Sequence, residues 1–454
     1  MKSAMPTAPY GVGQRHRSAT LTPRHERHLW GWPSRRLVSS WVGLLSATIL
    51  LLSLSPTSQA TEQGSLQPQV ETYLAQLAGR GFSPTAQGVW LQMEDRSPQR
   101  GRILVLGQHQ GSTPLPAASL TKVATTLAAL QHFGPQHRFV TPWLTTGSPT
   151  ADGVLQGDLW VLGGEDPLFV WEEAFSVGNL LNAYGIRQVR GDLVVVGRFY
   201  MNFSRDVAQS GSLLRQGLDA RRWPPEAEAQ FQTLPPGTPR PQVEILGSVR
   251  VAQQIPAAAQ VLLRHESPPL IHLVKLMNLY SNNSMAEMLA DAVGGADQVA
   301  QIVRAIAGIP VEELQLINGS GLGVENRISP RANVAMLQAI QSLLEEQGLS
   351  LADAFAVVGQ DVGVLERRLL PGILIAKSGT LRSVSTLAGV LPTKQGDIWF
   401  ALMNGGSDLV GFRTQQGQFL SQLQSQWGVP AALPERWIPR SGDTGSRTEL
   451  NPRL

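Results

Sequence analysis

Fifteen residues, Ser119–Phe133, constrain this chain more than any other stretch. They read SLTKVATTLAALQHF and carry one Lys and no acid. Ala, Leu and Thr dominate, and Gly134-Pro135 stops the run, so the spacing predicts a helix of about four turns. The run is small and mostly apolar on every side, a texture that belongs inside a core and leaves Lys122 partly buried. The chain can supply that core. Its 454 residues are 42% hydrophobic and only 16% charged, which leaves room for two or three domains of roughly 150 residues and excludes a disordered chain.

Several chemistries are excluded outright. There is no cysteine, hence no disulfide scaffold, no Cys-ligated zinc, no iron–sulfur cluster and no thiol nucleophile. The net charge of +3 belongs to the first 36 residues, which hold seven basic residues and one acid; without them the net is −3. Nothing in the remainder asks for a nucleic-acid partner. The basic stretch is followed by an uncharged run, Leu37–Ser55, and then by small residues at Ser58 and Ala60. That is the pattern of an export signal over residues 1–60, with an uncleaved N-terminal membrane anchor as the alternative. Either outcome puts the remainder in the periplasm or on the extracytoplasmic face of the cell membrane.

Further elements follow from periodicity. A short amphipathic helix is expected over 68–79 and strands at Gly88–Met93 and Arg102–Leu106. Helical texture returns near Pro269, ends at Gly294-Gly295, and resumes over 296–307 and 330–347. GILIAKSGT, STLAGVLP and DIWFALMNG read as an antiparallel meander, and 409–427 as a closing helix. Residues 140–265 break into short strands with many Gly and Pro, an inserted β-rich subdomain. The flanking segments 61–139 and 266–429 form one domain, and 430–454 reads as a flexible tail.

Lysine is rare: Lys2, Lys122, Lys275, Lys377 and Lys394 are all there are. Two of them sit beside hydroxyls. In Ser119-Leu120-Thr121-Lys122 the i,i+3 spacing puts hydroxyl and amine on one helical face, near a helix start that favours negative charge. A desolvated Lys there can act as a base; taken alone, the motif equally describes a surface helix start. Tyr280-Ser281-Asn282-Asn283 places poor helix-interior residues inside a helical block, which also describes an ordinary helix cap. Lys377-Ser378-Gly379-Thr380 ends an apolar strand, where Gly permits close backbone approach.

The order S-x-x-K, S-x-N, K-[ST]-G is that of penicillin-binding proteins and serine β-lactamases. With LPAASLTKVATTLAAL, GDLWVLGGEDPLF, NGSGLGVENRISP and KSGTLRSVSTLAGVLP, the chain from about 70 to 427 resembles the penicillin-binding protein 4-like D-alanyl-D-alanine carboxypeptidase/endopeptidases (S13 peptidases). The resemblance implies an α/β fold: an antiparallel sheet flanked by helices, plus a helical cluster, with the cleft between. It implies a serine-type D-alanyl-D-alanine carboxypeptidase, with endopeptidase activity as a second reaction, that hydrolyses peptidoglycan stem peptides ending in D-Ala-D-Ala. β-Lactam antibiotics are the implied acylating inhibitors. Ser119 would be the nucleophile, Lys122 its base with its proton affinity lowered by Lys377, Ser281 a proton relay, and Asn283 the residue that orients Lys122. Lys377, Ser378 and Thr380 would hold the substrate carboxylate, and Gly379 would admit the peptide along the strand. The backbone N–H groups of Ser119 and Thr380 would form the oxyanion hole.

The chain departs from that pattern in two ways. Its third motif is Lys-Ser-Gly, and only 162 positions separate Ser119 from Ser281, short for members with two inserted domains. Tyr280-Ser281-Asn282 also spells Y-x-N, the second motif of class C β-lactamases. A β-lactamase or esterase on the same fold, and a catalytically silent wall-binding relative, are the alternative functions. No cofactor is implied. The His residues form no H-x-H or H-E-x-x-H, so no metal site is expected. His265-Glu266 reads as a solvated pair, Glu165-Asp166-Pro167 as a turn, and Asn318, Ser320 and Gly321 as a family loop that packs beside the site.

Overall fold

The computed structural model describes residues 64–94 and 103–451. The expected leader, 1–60, lies outside them, as does Arg102 at the start of the second expected strand. Among the described residues no helix is long and apolar enough to cross a membrane.

Helix α1 (Gln67–Gly79) precedes strands β1 (Gln87–Glu94) and β2 (Ile103–His109) and helix α2 (Thr121–Phe133). The insertion brings β3 (Val140–Thr145), β4 (Leu159–Leu162), α3 (Trp171–Ala183), β5 (Leu193–Val196), α4 (Val207–Gly217), α5 (Pro225–Phe231), β6 (Val249–Ala252) and β7 (Gln260–Glu266). Helices α6 (Leu270–Tyr280), α7 (Asn283–Val293), α8 (Ala296–Ala307) and α9 (Pro330–Glu345) form the helical cluster. The chain closes with β8 (Ala356–Val357), β9 (Ile375–Leu381), β10 (Val384–Thr393), β11 (Gly396–Gly405), α10 (Leu409–Trp427) and β12 (Arg447–Leu450).

One sheet runs β8-β9-β10-β11-β1-β2 and is antiparallel throughout. Its register joins the two ends of the sequence, pairing Gln87 of β1 with Asn404 of β11. Successive side chains point to opposite faces. Ala388, Val390, Trp399, Ala401 and Met403 therefore pack into the core shared with α2 and α6–α9. Leu387, Leu391, Ile398, Phe400 and Leu402 pack into a second core with α1 and α10. Covered on both faces, β10 and β11 read as near-continuous apolar runs. Helix α2 is the centre of the first core, and every residue from Thr121 to Leu130 is buried.

The second sheet runs β6-β5-β4-β3-β7-β12 around its own apolar core, which includes Trp143, Phe169, Phe175 and Leu193. Residues 140–265, expected to be β-rich, in fact alternate strand and helix. Strands β4, β5 and β6 are parallel, and parallel neighbours need crossover connections. Helices α3, α4 and α5 lie in those connections, and frequent Gly and Pro had masked them.

The tail expected to be flexible is packed. Trp437 is buried, its ring 5.7 Å from that of Trp399, and β12 adds antiparallel to β7. An unpaired strand edge is a ready template for such an addition. His265, expected to be solvated beside Glu266, is fully buried under this strand. Its Nδ1 lies 3.0 Å from the Thr448 hydroxyl, and Nε2 lies 3.5 Å from Asp166 and 3.8 Å from Glu173. Asp166 does make the expected turn, accepting from the Leu168 N–H at 2.8 Å.

Candidate active site

Ser119 does not lie in α2 itself. Residues Ala118–Leu120 form a single 3-10 turn ahead of the helix, and Ala118 is held at φ 49°. A non-glycine residue there is strained, and the turn aims the Ser119 side chain at a cleft. Two close approaches fix it. A Cβ on Gly321, itself at φ +84°, would meet the Ala118 carbonyl oxygen at 1.9 Å. A Cβ on Gly379 would meet the Ser119 nitrogen at 2.8 Å and the Thr386 hydroxyl at 2.3 Å. That hydroxyl donates to the Ala117 carbonyl at 3.0 Å, tying the turn to β10.

One helical turn on, Lys122 is completely buried. Its Nζ lies 3.1 Å from Ser119 Oγ, 2.7 Å from Asn283 Oδ1 and 2.6 Å from the Ser320 carbonyl. No carboxylate among the described residues lies within ion-pairing distance. Burial lowers its pKa to about 7, and the field of the Glu287 carboxylate pulls the other way. An amine at that value is half in its free-base form near neutral pH, and Ser119 lies within its reach.

Lys377 of β9 is the second buried amine, 1% exposed. Its Nζ donates to Ser281 Oγ at 2.9 Å and to the Ser378 carbonyl at 2.8 Å. Burial depresses its pKa strongly, and the Lys122 cation adds to the effect. For Lys122, burial and not Lys377 is the first cause, which differs from the expectation. Lys275 is the contrasting case: it is paired with Asp361 at 2.6 Å and also donates to the Ala352 and Phe355 carbonyls.

The break between α6 and α7 explains the second motif. Ser281 takes the left-handed conformation, φ 52°. The Asn282 side chain caps α7 by accepting from the Met285 N–H at 3.1 Å. Asn283 then opens α7 facing Lys122. Cap and site are thus adjacent residues, and the geometry follows the S-x-N register; Tyr280 is 38% exposed.

Ser119, Ser281, Ser378 and Thr380 line one cleft of about 530 Å³, together with Val364, Arg367, Arg368, Leu369, Val410, Arg413 and Thr414. All three motifs therefore converge. Sequence reasoning named the loop of Asn318, Ser320 and Gly321 beside the site, where the structure places it, but missed Glu287, which holds that loop. Glu287, one turn after Asn283, accepts from the Gly319 and Ser320 N–H groups at 3.2 and 3.0 Å. It thereby sets the Ser320 carbonyl on Lys122. Asn318 closes the same loop by accepting from the Gly321 N–H at 2.8 Å. The S-x-N-x-x-x-E spacing was the available signal. Arg413, which donates to Thr380 Oγ1 at 3.0 Å, left none.

The sequence matches the model of the D-Ala-D-Ala carboxypeptidase 3 (S13) family over residues 101–201 and 240–423. It is similar to the D-alanyl-D-alanine carboxypeptidase DacB of Haemophilus influenzae, with 24% identity across 64% of this chain and 81% of that one. Among solved structures it is similar to a predatory endopeptidase from Bdellovibrio bacteriovorus, with a TM-score of 0.65 and 25% identity over 76% of this chain and 94% of the other. That endopeptidase is also known in a penicillin G-acylated form. Penicillin binding protein 4 from H. influenzae shares the fold, with a TM-score of 0.57 and 20% identity over 78% and 98% of the two chains.

Proposed function

Because the chain belongs to the D-Ala-D-Ala carboxypeptidase 3 (S13) family, we propose a role for each residue of its cleft. The protein is a serine-type D-alanyl-D-alanine carboxypeptidase of the penicillin-binding fold, acting on peptidoglycan. The observation that carries the assignment is Ser119 Oγ 3.1 Å from a fully buried lysine amine lowered to about pKa 7.

Lys122, as free base, takes the Ser119 proton while Oγ attacks the carbonyl carbon of the penultimate D-alanine. Asn283 and the Ser320 carbonyl hold the amine in line. The Ser119 and Thr380 N–H groups receive the developing oxyanion. As the C–N bond breaks, Ser281 gives its proton to the leaving amine and recovers one from Lys377, its partner at 2.9 Å. Water then attacks the ester and returns a proton to Lys377 through Ser281. Ser119 leaves with the proton held on Lys122, and both lysines regain their starting states. Strand β8 pairs with β9 only at Ile375 and Ala376, so the edge from Lys377 to Leu381 is open for a stem peptide ending in D-Ala-D-Ala to add as a strand.

The substrate lies outside the cytoplasm, and residues 1–60 supply the export signal or anchor. Labelling with fluorescent penicillin, followed by mass spectrometry of the labelled peptide, tests the assignment. The label is expected on Ser119, and Ser119→Ala is expected to lose both label and D-alanine release. A labelled Ser119→Ala protein would refute it.

A further inference from the structure

We propose that the C-terminal strap, residues 442–451, is a proton-dependent clasp. With the buried cluster beneath it protonated, the strap fastens the inserted subdomain to the peptidase domain; as the cluster loses protons, β12 leaves the edge of β7.

The strap crosses from one domain to the other. The backbone N–H groups of Arg440 and Ser441 donate to Asp353 of the peptidase domain, each at 2.7 Å. Arg138 and Ser267 stand where the chain enters and leaves the insertion. Arg138 joins both to the strap, donating to the Ser267 carbonyl at 2.7 Å, the Gly445 carbonyl at 2.8 Å and Asp443 at 2.6 Å. Beyond that point the strap bonds to the insertion: Ser446 to Glu173 of α3, Thr448 to His265, and β12 to β7.

The cluster under β12 is incompletely bonded. His265 Nε2 and Asp166 Oδ2 are buried, lie 3.5 Å apart and have no hydrogen-bond partner among the described residues. Thr141, opposite His265 in register on β3, has a buried hydroxyl without one. Phe169 makes a T-shaped contact with the imidazole, ring centroids 4.9 Å apart. Among the described residues no three acids and histidines converge as metal ligands would. One imidazolium, one carboxylate and one carboxylic acid sum to zero charge. Each proton lost from that set leaves an uncompensated charge under the strap.

The proton affinities follow that count. Burial raises the Glu173 carboxyl from 4.5 to about 7. For His265 burial opposes the charged form, but the Asp166 and Glu173 carboxylates outweigh it and raise the pKa. Both groups therefore hold protons in the closed state that they release in the open one. The clasp is tightest in acid and weakens as the pH rises from 4.5 through 7 and beyond. Neighbouring charges keep that sign. Glu172 and Glu266 add negative fields, and Glu165 is paired with Arg198. Arg264 and Glu449 are exposed, as is Arg447, which pairs with Asp443. Strand β3 carries no titratable residue.

Hydrogen exchange of the full chain at pH 5.5 and pH 8.5, read by mass spectrometry and corrected for the intrinsic rate, tests the clasp. Peptides covering 446–451 are expected to lose about 10–100-fold in protection at the higher pH, within what a shift of the Glu173 size allows. Peptides covering β4 of the same sheet should change little. Glu173→Gln is a neutral stand-in for the protonated acid that keeps an acceptor for Ser446, and its strap should stay protected at pH 8.5. Equal protection of the wild-type strap at both pH values, or a Glu173→Gln strap that loosens as much as the wild type's, would overturn the proposal. The wild-type comparison needs no variant, so it decides the matter even where Glu173→Gln does not fold.

Discussion

At the scale of single residues, the site is a problem in desolvation. Two buried amines face hydroxyls, an amide and carbonyls, with no carboxylate among the described residues in ion-pairing distance, and both cannot stay charged cheaply. The resting pair therefore carries at most one charge, and the proposed reaction starts from the form in which that proton sits on Lys377. The profile of kcat/KM against pH is expected to rise with an apparent pKa of about 7 as Lys122 loses its proton. The same shift sets a stability trend. A lysine at about 7 in the folded state and near 10.5 unfolded binds fewer protons when folded between those values. Folding stability should then rise with pH across that window, and below it the full penalty of the buried charge remains. Chemical denaturation of wild type and Lys122→Met at pH 7 and pH 10 checks this. The wild type should gain a few kcal/mol more than the variant, and parallel pH trends would contradict it. Ser119, Lys122, Ser281, Asn283 and Lys377 were legible because each sits in a short pattern of unusual residue types. The Ser320 carbonyl was not, since a backbone acceptor leaves no trace in residue type. Arg413 was invisible as one arginine among many.

At the scale of elements, the motifs work because backbones approach one another closely. Strand β9 can lie against the turn that carries Ser119 only because Gly379 has no side chain. Gly379→Ala is expected to cost about 1–3 kcal/mol in stability and to slow penicillin acylation about a hundredfold or more, since a displacement near 1 Å has that effect. Gly372→Ala, where a Cβ meets nothing within 4 Å, is the matched control and should leave the melting temperature and acylation rate unchanged. The helices and the C-terminal meander were readable from period and stop signals. The helices of the insertion were not, because α3, α4 and α5 are set among Gly- and Pro-rich loops. The break at Ser281 was foreshadowed by three polar residues, but its left-handed turn is fixed by the packing of α6 and α7.

At the scale of the whole molecule, the C-terminal tail links the two sheets. Trp437 joins the core behind α9 and β11, and β12 covers the edge of β7 and the buried His265. Ser446 donates to Glu173 at 2.7 Å, and Arg138 pairs with Asp443 at 2.6 Å. A chain ending after Ser441 should melt lower than the full chain and show concentration-dependent light scattering, because the β7 edge is exposed. Matching melting curves at all concentrations would show the strap to be dispensable. The prolines and mixed charges of this segment suggested looseness; the partner edge lies some 180 residues away in sequence, where no local pattern reports it.

What the amino-acid order determined by itself is local. It set which segments coil, which extend, and where a hydroxyl and an amine share a helical turn, because those outcomes depend on neighbours three or four residues apart. Tertiary structure alone decided the rest. It brought residues 119, 281 and 377 together, stripped water from Lys122, put Ser281 within hydrogen-bond reach of Lys377, and set Arg413 beside Thr380. Proton affinity and charge balance depend on which atoms surround a group in space, and those atoms come from segments that meet only when the sheet closes.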